Sequence, residues 1–222
     1  MKKSVKGSRP QEGTRSERTR RNRERMVATA YDLFVARGYA DTTMADVAKG
    51  AGVAEQTLYY AFGTKAQLLQ RAYDHAVLGP GNAVPPQQQD WYVHLAESES
   101  LQAALTVVVD NVAAVMARTA PLDEYIRGVA GSDPGAQHAR QAAEALRRQA
   151  WTYMINQLAA RFGLRADLDS RLAADIMLVV MSPTTYQSLV LDYGWSPTQW
   201  TDWCRDTLIQ QLFAGRPCKA ST

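Results

Sequence analysis

Along most of this 222-residue chain, apolar positions recur three and four residues apart, the spacing of one face of an α-helix. From about Ser16 to Arg37 the stripe is Met26, Val27, Ala30, Leu33 and Phe34, and Gly38 ends it. Two short segments follow, one carrying Met44, Val47 and Ala48, the other Leu58 and Phe62, with Ala51-Gly52-Val53 between them. A fourth stripe, Leu68, Leu69, Ala72, Tyr73 and Ala76, opens at Thr64 and stops at Gly79-Pro80-Gly81. Val107-Val108-Val109 is locally strand-like, but Leu101, Leu105, Val108, Val112, Val115 and Met116 hold a helical period over four turns. The pattern predicts a helix there, broken at Pro121, with a short segment from Leu122 to Ala130 beyond it. A long helix to Phe162 carries Leu146, Trp151, Met154, Ile155 and Leu158, and Gly163 closes it. The next, opened by Asp167 or Asp169, carries Leu172, Ile176, Met177, Val179 and Val180 and bends at Pro183 before Tyr186, Leu189, Val190 and Leu191. The last runs from Pro197 to about Ala214. The fold class is all-α.

Cap residues sharpen several boundaries. Thr43 with Asp46, Thr64 with Gln67 and Ser196 with Gln199 have capping-box spacing, in which each end satisfies the other's free backbone donor. Gly52 suits the left-handed residue that closes a helix. The two short segments around it therefore read as a helix-turn-helix. Small Ala48 permits close approach, Leu58 fills the gap, and Glu55, Gln56, Thr57, Tyr59 and Tyr60 face outward.

From Gly52 through Lys65, in Gly52-Val53-Ala54-Glu55-Gln56-Thr57-Leu58-Tyr59-Tyr60-Ala61-Phe62-Gly63-Thr64-Lys65, the chain resembles the recognition-helix signature of the TetR (tetracycline repressor-like) family. The resemblance covers roughly residues 20 to 78, including Phe34, Gly38, Tyr39, Thr42, Thr43 and Val47-Ala48. Ala54 and Gln56 depart from the cap-like and small residues the family often has there. The resemblance implies an N-terminal three-helix DNA-binding domain and a C-terminal helical bundle for ligand binding and dimerisation, with the dimer formed by the last two long helices. It also implies that Thr43 and Lys65 grip DNA phosphates.

Charge supports a polyanion partner for the first part alone. Residues 1 to 25 hold ten Lys and Arg against three Glu, whereas residues 80 to 222 hold eleven against fourteen Asp and Glu. The expected organisation is a disordered basic arm over 1–15, a DNA-binding domain over 16–79, and a ligand-binding and dimerisation domain over 80–216, with Pro85-Pro86-Gln87-Gln88-Gln89 as open linker. Gln56 and Thr57, with Glu55, stand where a recognition helix reaches base edges, and the Tyr59 and Tyr60 hydroxyls can bond phosphates. In the second half, Trp91, Tyr92, Met116, Tyr125, Trp151, Met154, Met177 and Met181 are candidates for a mainly apolar ligand pocket. Trp200, Leu208, Ile209 and Leu212, with Ile176 and Val180, are candidates for the dimer interface.

Other chemistry finds little foothold. His75, His94 and His138 lack ligand spacing, so no metal or other cofactor is expected. Gly131-Ser132-Asp133-Pro134-Gly135 is a turn with no strand before it, and hence no nucleophile elbow. Cys204 and Cys218 are too few for a disulfide framework. The longest run of bulky apolar residues, Ile176 to Met181, is far short of the ~20 needed to span a bilayer. Ser4 to Arg25 has no apolar core to make a signal peptide. The expectation is a cytoplasmic homodimer, a regulator that binds a near-palindromic DNA operator and a small amphipathic effector. A repressor fits best; an activator of the same fold, or a helical enzyme or scaffold with a vestigial DNA-binding motif, are the alternatives.

Overall fold

A computed structural model describes residues 15–79, 89–131 and 134–213, all helix and connecting turn, with no strand among the described residues. The expected basic arm, apart from Arg15, and the Pro85–Gln89 linker, apart from Gln89, lie outside them. The first four helices are α1 (Arg15–Arg37), α2 (Met44–Ala51), α3 (Glu55–Phe62) and α4 (Lys65–Leu78). The body follows with α5 (Asp90–Glu97), α6 (Leu101–Ala130), α7 (Pro134–Phe162) and α8 (Ser170–Val180). Next come α9 (Pro183–Tyr186), continuing as a π-helix over Gln187–Asp192, and α10 (Pro197–Leu208), continuing as one over Ile209–Phe213.

Local chemistry sets most of these ends. The expected capping boxes form at Thr43, Thr64 and Ser196, and Asp169 caps α8 by accepting from the Leu172 N–H at 2.7 Å. Gly52 adopts φ +65°, and its N–H together with that of Val53 covers the carbonyls of Ala48 and Lys49.

Two boundaries differ from expectation. Pro121 does not break its helix: α6 runs unbroken from Leu101 to Ala130. A proline inside a helix costs about 3 kcal/mol and removes one backbone bond. Here Ala120 and Leu122 on either side of it are buried, and Ile126 one turn later is 7% exposed, so continuing the helix inserts this whole segment into a core. Pro183, by contrast, separates two helices where a bend was expected. Ser182 caps α9, and Pro183 takes the first helical turn, where its missing N–H costs nothing. The helix α5, at the end of the expected linker, had no signal in the apolar period.

Two apolar cores result. One collects Met26, Ala30 and Phe34 of α1, Val47 of α2, Leu58 of α3 and Leu68 of α4, and it also takes Leu122 and Ile126 from α6. The other joins α6, α7, α8 and α10 around Leu105, Val108, Ile155, Met177 and Trp200. By length and composition α6 could cross a membrane, but its apolar residues fill these two cores. Polar bonds tie the same junction. Tyr31 Oη donates to the Arg118 carbonyl at 3.0 Å, Arg118 Nε to the Ala76 carbonyl at 2.8 Å, and Arg147 to Tyr73 Oη at 3.1 Å.

The proposed dimer residues need correction. Trp200, Leu208 and Leu212 are fully buried within their own chain and Val180 nearly so, because α10 packs its apolar stripe inward on α6 and α8. Ile176 and Ile209 are half-buried against the same core.

Replacing Leu122 with Ala empties a fully enclosed site shared by α6 and the first four helices. We expect a loss of about 2–5 kcal/mol in urea unfolding, with faster amide exchange in α1 and α4 as well as in α6. Exchange that rises in α6 alone would show that Leu122 does not hold the two together.

Candidate nucleic-acid interface

The outward surface of α3 is built by what the helix hides. Only Leu58 is fully buried, seated against α2, whose small Ala48 is 3% exposed. Glu55, Gln56, Thr57, Tyr59 and Tyr60 all face solvent, with Tyr60 94% exposed and Tyr59 47%. A tyrosine ring left almost wholly in water has no packing role in the single chain. Ala54 supplies no side-chain cap, so the first turn of α3 is held by the Ala54 carbonyl, which accepts from the Thr57 N–H at 2.9 Å.

Thr43 and Lys65 flank this helix from the starts of α2 and α4. The Thr43 hydroxyl donates to Asp46 Oδ2 at 2.5 Å and accepts from the Asp46 N–H at 3.1 Å, while the Thr43 N–H donates to the same carboxylate at 2.9 Å. The hydroxyl first, and the backbone donor second, hold the Asp46 carboxyl below its usual range. Lys65 is less free than a solvated amine: Nζ donates to the Ala40 carbonyl at 3.2 Å and lies 4.3 Å from the Tyr39 ring centroid. Partial burial lowers its pKa, against the opposing pull of Asp41. Gly63, between α3 and α4, sits at φ +73°, and a Cβ there would collide with Gln67 Oε1 of the second capping box. A residue that sequence reasoning passed over also reaches this region. Arg23 of α1 donates to the Ala61 carbonyl at 2.7 Å, and its guanidinium stands 5.7 Å from the Phe62 ring centroid. The sequence shows that α3 has no basic residue in its own last turn, but not which distant residue takes that place.

Helix, turn and exposed helix, with a basic α1 beside them, have the dimensions and polarity of an element that enters a DNA major groove. Residues 26–72 match the family model for bacterial regulatory proteins of the tetR family. Over these residues the chain carries a TetR-family DNA-binding region. It is 31% identical over 90 residues to the HTH-type transcriptional regulator SrpR of Pseudomonas putida, a stretch that is 40% of this chain and 39% of that protein. It is 38% identical over 58 residues to the HTH-type transcriptional regulator TtgR, also of Pseudomonas putida, 26% of this chain and 28% of that one. These matches span less than two thirds of either relative. Whole-fold likeness extends further. FadR of Bacillus subtilis in complex with stearoyl-CoA superposes with a TM-score of 0.66 at 16% identity, covering 84% of this chain and 97% of that one. NalD, the secondary repressor of the MexAB-OprM multidrug efflux pump in Pseudomonas aeruginosa, gives 0.62 at 17% identity over 89% and 98%.

The candidate ligand residues are placed as follows. Met116, Met154, Met177 and Met181 are buried in the body core, 8% exposed or less. Trp91, Tyr92 and Trp151 pack against that core half-buried, and burial pushes the Tyr92 hydroxyl up to about 12. Tyr125 stands apart from the other seven, packed on the N-terminal core with its hydroxyl beside Gly38. A separate cleft of about 430 Å³ lies between α6 and α9, lined by Asp123, Glu124 and Arg127 on one side and Pro183, Thr184 and Gln187 on the other. Arg127 spans it, paired with Asp123 at 3.1 Å and donating to Thr184 Oγ1 at 3.0 Å. Burial raises the Asp123 carboxyl, with Arg127 pulling the other way.

The Asp46 box makes a pH-dependent contribution. Because its pKa in the folded chain is depressed, the stabilisation is complete above the ordinary carboxylate pKa and is lost as pH falls through the lowered value. We expect Asp46→Ala to flatten the acid limb of a urea-stability profile and leave its shape above neutral pH unchanged. An acid limb identical to that of the parent would rule this contribution out.

Proposed function

We propose that this chain is a transcriptional repressor that binds a near-palindromic DNA operator as a homodimer and is released by a small amphipathic effector. The observation that carries the reading is the exposed face of α3, with Glu55, Gln56, Thr57, Tyr59 and Tyr60 presented together on a helix fixed from below by Leu58. In this reading Gln56 and Thr57, with Glu55, read base edges, Gln being suited to adenine. Tyr59, Tyr60, Thr43 and Lys65 hold phosphates. The Lys65 amine, oriented by Ala40 and Tyr39, is then a placed charge and loses little freedom on binding. The sign of regulation is supported by the likeness to NalD, whose description is that of a repressor. An effector is supported by the likeness to FadR, which was crystallised with stearoyl-CoA. It would bind among the body helices, with Trp91, Tyr92, Met116, Trp151, Met154, Met177 and Met181 as candidate wall residues and Tyr125 reporting at the junction. A ligand that favours a body conformation with displaced heads weakens DNA binding by the factor by which DNA weakens ligand binding.

The homodimer is supported by an unpartnered stripe on α8. Leu172 and Val179 are 49% and 67% exposed on one face, with half-buried Ile176 between them.

The DNA reading is tested by operator and random-sequence affinity across a salt series, with an operator selected from random DNA by the parent protein. Gln56→Ala and Thr57→Ala should each cost about 1–3 kcal/mol on the operator and relax preference at one base position. Lys65→Ala should weaken all sequences alike and reduce the salt slope by about one. If Gln56→Ala and Thr57→Ala leave the ranking of operator variants unchanged, α3 does not read those bases.

Sedimentation tests the assembly. The parent should be a dimer at micromolar concentration, and Val179→Asp, which places like charges across a two-fold contact, should shift it toward monomer with its helical circular dichroism intact. A parent that sediments as a monomer would overturn the proposed assembly.

A further inference from the structure

We propose that Arg23 is a positioning residue for base recognition: it fixes the C-terminal end of α3, and through it the angle of the reading face, without touching a base. The proposal rests on the DNA-binding reading above. The helix it acts on is weakly fixed by its own sequence. It is eight residues long, has no side-chain N-cap, carries no basic residue in its last turn and buries a single side chain completely. Something else must hold its far end.

Three carbonyls at that end accept from donors beyond the helix. The Tyr59 carbonyl accepts from the Gly63 N–H at 2.8 Å, and the Phe62 carbonyl from the Thr64 N–H at 2.9 Å. The Ala61 carbonyl accepts from Arg23 Nη2 at 2.7 Å, across 38 residues of sequence. The same guanidinium faces the Phe62 ring, so Arg23 grips α3 by two neighbouring residues. Its positive charge also meets the negative end of the α3 dipole, a role that a basic residue in the last turn would normally take. Arg23 itself is well anchored, one turn before Met26, which is 2% exposed in the core. The contact therefore transmits the position of α1 to α3. A guanidinium has a planar fork of donors, and this one already serves a carbonyl and a ring. That geometry favours a structural grip on the helix over a phosphate contact, although Arg23 lies on the basic side of the molecule.

The test compares Arg23→Ala and Arg23→Lys with the parent, on selected operator and random DNA, across salt. A charge-assisted hydrogen bond lost at a helix end predicts about a tenfold fall in operator affinity for Arg23→Ala, with random-sequence affinity and salt slope unchanged. Arg23→Lys, which can still donate to Ala61, should recover part of the ratio. A slope lower by about one, with equal losses on both DNAs, would make Arg23 a phosphate contact and overturn the proposal. An unchanged ratio would overturn it too. Amide exchange in the free protein provides a measurement independent of DNA. Arg23→Ala should speed exchange over Glu55–Gly63 and leave α2 protected, and unaltered exchange there sinks the positioning role. If the parent itself selects no DNA sequence, the functional reading fails while the exchange experiment still decides whether Arg23 holds α3.

Discussion

The constraint on which this structure depends is that one helix, α6, fills two cores. Its first half carries Leu105, Val108 and Val112 into the body, and its second half carries Leu122 and Ile126 under α1 and α4. At 30 residues α6 is about 45 Å long, enough for one element to enter both cores. The hydrogen bonds at the crossing reinforce this. Arg118 holds the last turn of α4 by the Ala76 carbonyl while its own carbonyl accepts from Tyr31 of α1, so three helices meet at one residue. Arg147 reaches the same helix from α7 through Tyr73. Body and N-terminal helices are thus joined through α4 and α1, both of which pack on α6.

Around α3, rigidity is distributed unevenly. The turn before α3 is closed by Gly52, and the following helix by the Thr64 and Gln67 box, while α3 itself relies on Leu58 beneath it and on Arg23 behind it. The outward residues from Glu55 to Tyr60 are thus spent on neither capping nor packing within the chain.

How much of this could be read from the sequence follows from the range of the forces involved. Capping boxes at Thr43, Thr64 and Ser196 involve partners three residues apart, and all three form as the spacing implied. The apolar period located most of the helical segments, and the exposed face of α3 followed from Leu58 and Phe62 on the opposite one. What escaped was decided at long range. Local propensity says that Pro121 ends a helix, but the burial of Ala120 and Leu122 on either side of it outweighs one missing backbone bond. The stripe on α10 is equally compatible with an interior and with a partner; the full burial of Trp200, Leu208 and Leu212, with the Trp200 and Tyr186 ring centroids 5.1 Å apart, shows that it faces inward. Arg23 was indistinguishable in sequence from its basic neighbours, because its role is defined by a carbonyl 38 residues away.

The sharing of α6 has a consequence for how this molecule can be taken apart. A cut at Gly79 looks natural, since a glycine and a proline follow the fourth helix. A fragment ending there would leave an apolar hollow where Leu122 and Ile126 belong, and would lose the Arg118 bond that closes α4. The head is therefore not a portable module. A chimera that keeps the outward face of α3 must carry the second half of α6 with it, or supply from its new body a helix of matching shape at the same place.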